Sequence, residues 1–254
     1  MVKKILIIIS ILLIIAYLVI AITHFNLQPD NMRCKKVEVV IKDTSDIDLV
    51  TKTGVIQMLE HQGVKLIDKK MNDIDTHDLE AKAKRYPLVR DVECYKTLSG
   101  KVKIVVSQRV PVLHIMSQYG EDYYLDNIGQ AVSVLPSVMA YRPIVTGCVD
   151  KKYATNYLYK LGVYLYYNKF WRATIQQINI LPGHNIELVP RIGNHIIYLG
   201  GIIHYTEKLN RLFEFYRQGL NKVGWNKYSR ISLEFNNQII CTKRANVMAA
   251  DSIK

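Results

Sequence analysis

Apolar residues follow three different patterns along this chain, and each predicts a different kind of element. From Ile5 to Ile22 the run ILIIISILLIIAYLVIAI is unbroken, without a charge, Pro or Gly, and only Ser10 and Tyr17 carry side-chain polar atoms. As a helix rising about 1.5 Å per residue it spans roughly 27 Å, close to the roughly 30 Å hydrocarbon core of a bilayer. Lys3 and Lys4 precede the run, and no Lys or Arg follows it until Arg33. Positive charge stays on the cytoplasmic side, so residues 1–4 read as a cytoplasmic tail, 5–23 as one transmembrane helix, and the body as exported. A cleaved secretory signal would have a shorter apolar stretch, about 7–15 residues, ending in a small-x-small site. Ala21-Ile22-Thr23 fits that poorly, and Cys34 lies too far beyond the run for a lipoprotein signal. The pattern predicts an uncleaved anchor.

Beyond a linker at 24–34 the periods shorten. Val37, Val39 and Ile41 alternate with Glu38 and Lys42, a half-buried strand. After a polar turn, Asp43 to Asp48, a helix is expected from about Leu49 to Gln62, with Val55, Met58 and Leu59 on one face and Gly63 ending it. A second helix begins at Asp75 or Thr76, carries Leu79 and Ala83, and must stop before Pro87. Val92 and Cys94, then Val102, Ile104 and Val106, alternate on either side of Ser99-Gly100, the pattern of a hairpin. Strand, helix, helix, strand, strand gives two helices on one face of a small sheet.

The remainder mixes strands with two helical stretches. Asp126-Asn127-Ile128-Gly129 reads as a β-turn, since no Gly-rich phosphate loop precedes it. A helix of about 15 residues is expected within Val149–Trp171, with Tyr157, Leu158, Leu161 and Leu165 at core spacing. Strands follow at 174–180 and 186–190, Gly193-Asn194 turns the chain into 195–199, and a helix at about 205–220 places Leu209, Leu212, Phe213 and Tyr216 on one side. A last strand is expected over Ser229–Thr242, with Ile231, Leu233 and Phe235 alternating and Asn236-Asn237 making a turn or bulge. A terminal strand tends to lie at a sheet edge, where unpaired N–H and C=O groups can accept a strand from another chain.

Composition narrows the function classes. The net charge of +12 and pI near 9.4 suit nucleic acid in principle. The charges are spread along the chain, though, and an exported basic body is attracted to anionic lipid or wall polymer without being specific for it. Cys34, Cys94, Cys148 and Cys241 are too widely spaced for a zinc site; export would allow any of three disulfide pairings, and buried free thiols are the expectation. No H-E-x-x-H, G-x-S-x-G or S-x-x-K occurs, and the acidic cluster Asp43, Asp46, Asp48 sits where a helix N-terminus favours negative charge. No catalytic, cofactor-binding or metal-ligating residues are singled out.

The element order after a single anchor resembles a POTRA domain. Tyr86-Pro87-Leu88-Val89-Arg90-Asp91-Val92 is similar to the P-x-V-x-x-A opening of that domain's second strand, and Gln108-Arg109-Val110-Pro111 to the E/Q-R-x-P close of its third. Further on, Tyr124-Leu125-Asp126-Asn127-Ile128-Gly129-Gln130-Ala131-Val132 resembles the Y-x-D-x-x-G-x-x-V hairpin of the bacterial FtsQ/DivIB division family, and Pro143-Ile144-Val145-Thr146-Gly147 its P-x-[IV]-x-G segment. The resemblance implies a single N-terminal transmembrane helix followed by an α+β body: a POTRA domain (β-α-α-β-β) at 35–109, a β-rich domain with two helices at 110–244, and a flexible tail at 245–254. It further implies a non-enzymatic bitopic scaffold of the divisome, in the inner membrane at the septum, linking early and late septal proteins. The implied partners are a coiled-coil pair like FtsB with FtsL, proteins like FtsW, FtsI and FtsK, and the lipid bilayer, with no cofactor, nucleic acid or small-molecule substrate. Partner-binding residues are expected on the terminal strand, Leu233, Phe235, Asn236, Asn237, Gln238 and Ile240, and on the POTRA hairpin, Val92, Tyr95 and Arg109. The competing readings are a tethered exported enzyme acting on the cell wall and a chaperone for envelope proteins; one repeat and too few residues for a membrane barrel count against the chaperone.

Overall fold

The computed structural model describes residues 2–26, 32–42, 50–134 and 140–244. The polar turn at 43–48 and the tail at 245–254 lie outside the described residues, as does most of the linker. The chain divides into two compact units, Met1–Gln108 and Arg109–Lys254.

In the first unit helix α1 (Val2–Asn26) takes in the whole apolar run. Side chains of α1 are described over 9–22, a stretch shorter than the roughly 20 residues of a membrane span, and nearly all are exposed. Among the described residues no helix is long and apolar enough to cross a membrane. The rest of the unit is β1 (Lys36–Ile41), α2 (Lys52–His61), a single 3₁₀ turn at Met71–Asp73, α3 (Thr76–Ala83), β2 (Val89–Lys96) and β3 (Lys101–Gln108). The three strands form a sheet ordered β1-β3-β2, with β1 parallel and β2 antiparallel to β3. Helix α2 begins three residues later than its hydrophobic pattern suggests. Thr51 takes the N-cap, its hydroxyl accepting from the Gly54 N–H at 3.0 Å. Asp75 caps α3 in the same way, accepting from the His77 and Asp78 N–H groups. Glu80 ties that helix to the sheet, its carboxylate accepting the Cys94 N–H at 2.7 Å. Val39, Val55, Leu59, Leu79, Val92 and Ile104 are buried between the helices and the sheet.

The second unit is built on a mixed nine-stranded sheet. Its strands are β4 (Pro111–Met116), β5 (Asp122–Asp126), β6 (Ala131–Ser133), β7 (Ile144–Gly147), β8 (Ile175–Ile180), β9 (Ile186–Pro190), β10 (Ile196–Gly200), β11 (Tyr228–Ser232) and β12 (Ile240–Lys243). Across the sheet they run β12-β11-β10-β9-β8-β7-β4-β5-β6. Between parallel β7 and β8 lie α4 (Lys151–Tyr153), a π-helical turn at Ala154–Leu158, α5 (Tyr159–Tyr167) and α6 (Lys169–Thr174). Between parallel β10 and β11 lie α7 (Tyr205–Phe215), a second π turn at Tyr216–Leu220, and α8 (Asn221–Val223).

Register sorts the sheet into two faces. Ile115, Val145, Ile178, Leu188, Ile197 and Ile231 are successive cross-strand partners, all fully buried in one core with Leu158, Leu161, Leu209 and Leu212 from the helices. The row on the other face is polar: Thr146, Asn179, Glu187, Tyr198 and Ser232. Thr146 and Asn179 are hydrogen-bonded at 3.3 Å and Asn179 and Glu187 at 3.3 Å, and neighbouring Arg230 donates to Glu187 at 2.7 Å while lying 4.3 Å above the Tyr198 ring. Gly162 lets α5 approach the sheet, since a Cβ there would lie 2.6 Å from the Leu113 Cγ. One expectation needs correction. Tyr157 is 55% exposed, because the π turn carries extra backbone per turn and moves it off the buried stripe. The helical stretch expected within 149–171 runs over 151–167 and ends at Asn168, whose side chain caps α6 by accepting from Phe170 and Trp171.

Candidate functional site

The closing stretch is a hairpin rather than one strand. β11 lies between β10 and β12, so Ser229–Ser232 is interior, and of these two strands β12 is the one at a sheet margin, with β6 at the other. The strands pair antiparallel, with Ile231 opposite Cys241 and Ser232 opposite Ile240. Asn237 turns the chain between them at φ +61°, a left-handed conformation that Asn tolerates better than most residues.

The hairpin separates the predicted partner-binding residues. Leu233 is fully buried and serves the core; its N–H donates to the Tyr198 carbonyl at 2.8 Å. Its side chain is not presented to a partner in this structure, because the inward phase of Ile231 continues one step past the end of β11. Phe235 is 51% exposed, Asn236, Asn237 and Gln238 are exposed in the connection, and Ile240, which opens β12, is 46% exposed. The connection is held from below by Arg211, whose Nη2 donates to the carbonyls of Leu233 at 3.3 Å and Phe235 at 3.0 Å. Two large apolar side chains are thus presented outward on a clamped loop and the strand it feeds.

Sequence reading missed the remainder of the margin. Thr242 and Lys243 of β12 are exposed, and so is Arg244. The Arg244 guanidinium donates to the Asn194 carbonyl and, at 3.4 Å, to that of Asn226. Alternation carried past Cys241 to Thr242 and Arg244 would have been the signal. Lys227, Lys243 and Arg244 make this end of the hairpin cationic. Cys241 is half-buried, and burial pushes its thiol above the usual range. Near the same end His195 is buried, with Nε2 2.6 Å from the Tyr216 hydroxyl. Burial lowers its imidazole below the usual value, and the nearby Arg244 charge adds to that.

The three residues expected on the first hairpin fall in two different units, and one of them is buried. Val92 is buried opposite Val106. Tyr95 is exposed, with Lys103 Nζ 5.6 Å from its ring centre. Arg109 belongs to the second unit, where its Nη1 meets the buried Asp126 carboxylate at 2.8 Å and the Gln130 side-chain oxygen at 2.7 Å. Asp126 in turn accepts the N–H groups of Ile128 at 3.1 Å and Gln130 at 2.7 Å, so the D-x-x-G stretch is a turn pinned by its own carboxylate.

All four cysteines are free, Cys34 and Cys94 buried and Cys148 and Cys241 half-buried; burial and the nearby Glu80 carboxylate push the Cys94 thiol up to about 12. Among the described residues no group of three or more His, Cys, Asp or Glu side chains could hold a metal ion.

No curated protein matches the chain. A model of a POTRA-like domain matches residues 32–107. A second model, FtsQ/DivIB, C-terminal related, matches residues 110–242, just over half of the sequence. With the three-stranded unit and the β-rich unit each met by its own model in this order, the chain belongs to the FtsQ/DivIB family of bacterial cell-division proteins.

Proposed function

We propose that this protein is a non-enzymatic scaffold of the division machinery, anchored in the inner membrane by residues 5–23 with its body exported. It recruits septal partners by accepting a strand along β12. One observation carries this reading: β12 is the outermost strand of a nine-stranded sheet, and Ile240 and Phe235 stand exposed beside it. A sheet edge supplies backbone bonds to an incoming strand, and exposed apolar side chains supply the area that makes the pairing selective. Partners of the kind implied by family, a coiled-coil pair like FtsB with FtsL, would dock there. The anchor is supported by the helical backbone of Val2–Asn26 and by the exposure of its large apolar side chains, which need a non-aqueous environment to be covered.

In cells carrying a fluorescent fusion, Ile240→Glu is expected to leave folding and midcell placement intact while septal proteins are lost from pull-downs. Unchanged recovery of those proteins would overturn the strand-docking reading. Release of the fusion from membranes by alkaline carbonate would overturn the anchor.

A further inference from the structure

The first unit has a second open margin, far in sequence from β12. β1 has β3 on one side, and on the other no strand is placed against it among the described residues. The chain itself starts a ladder on that open side and then abandons it. Arg33 bridges Lys70, the Met71 N–H donates to Met32 at 2.8 Å, and Cys34 exchanges bonds with Lys69 and Asp68, each at 2.9 Å. At Asp68 the backbone turns with φ +63° and leaves, just where β1 begins. Beyond that point a groove of about 720 Å³ runs between β1 and α2. Its walls are apolar, with Val37 from the strand, Ile56 and Leu59 from the helix, and Val64, Leu66 and Ile67 from the connection. Ile67 is 55% exposed at the rim. Around the groove and the abandoned ladder, Lys35, Lys36, Lys65, Lys69 and Lys70 outnumber Glu60 and Asp68.

We propose that this groove receives an extended acidic segment of another protein, which continues the interrupted ladder along β1. Backbone pairing to the edge sets the direction, an apolar side chain of the guest sits against Ile56 and Leu59, and its carboxylates meet the lysine rim. The three observations are independent and converge on one guest. The half-built ladder calls for a strand, the apolar walls for a large side chain, and the charge excess for acid. Pairing between two copies of β1 is disfavoured, because it would bring the lysine rims together.

The test uses the full chain in detergent and synthetic peptides of about ten residues, the length of a strand. One alternates Val and Thr around a central Leu with three Glu; the other carries Lys in place of Glu. Fluorescence anisotropy at low salt is expected to show the Glu peptide binding at least roughly tenfold tighter than the Lys peptide. The paired change Lys36→Glu with Lys65→Glu, both at exposed sites, is expected to reverse that preference, and Ile56→Glu to weaken both peptides roughly tenfold. Circular dichroism of each variant establishes that it folds. Equal binding of the two peptides, binding of neither, insensitivity of a folded variant to these changes, or concentration-dependent self-association abolished by the same changes would each overturn the proposal.

Discussion

At the scale of single residues, the most consequential group is Asp126. Its side chain is buried, pairs with Arg109, and receives two backbone N–H groups. Removing one partner of such a pair strands the other charge, which costs far more than the pair contributes. Asp126→Ala is therefore expected to lower the unfolding free energy of the second unit by about 3 kcal/mol, measured by urea denaturation. His195 gives the domain a pH dependence of definite sign. Burial holds its folded-state value below the ordinary imidazole value of about 6.5, so it is neutral in both states above that value. As pH falls below 6.5 the unfolded chain takes up a proton that the folded chain refuses, and stability declines until the folded-state value is passed. Urea midpoints are expected to fall between pH 7 and pH 5, and His195→Gln to reduce that slope, in a region that also holds the Arg244 contact to Asn194.

At the scale of elements, period and punctuation predict most of the architecture. Alternation marked β1, the β2–β3 hairpin, β8, β9 and β10, and Gly63, Pro87 and Gly193 marked where elements end. Two kinds of feature were hidden. The π turns add residues to a helix without any residue type that announces them, so Tyr157 fell on the wrong face. The turn expected at Asn236-Asn237 is present, but whether it bulges one strand or splits Ser229–Thr242 into two depends on Asn237 adopting a left-handed conformation, which Asn permits but does not require. Of the residues singled out for binding, Phe235 and Ile240 are presented outward, whereas Leu233 and Val92 are buried by phase that only the pairing partner determines. Capping was legible at Asp75, where the second helix was expected to begin, but not at Thr51. Thr51, two residues past the expected start of α2, accepts the Gly54 N–H, and Thr51→Ala is expected to cost about 1 kcal/mol in thermal unfolding of the first unit.

At the scale of the molecule, each unit has its own core and each is matched by its own family model. Ile104 and Leu161 are fully buried, one in each unit, and replacing either by Ala costs roughly 2–5 kcal/mol. Scanning calorimetry of the full chain is expected to show two transitions, with Ile104→Ala lowering one and Leu161→Ala the other. The shortness of β12 has a consequence for how such a protein could hold its neighbours. Four residues offer a guest only a few backbone bonds, each contributing about 1 kcal/mol net, a grip in the millimolar range by itself. Two molecules free in water would scarcely notice one another through so small a handhold. If both are leashed to the same film of lipid, as proposed, they would meet at a far higher local concentration, and the tether at one end of the chain would govern whether the seam at the other could close.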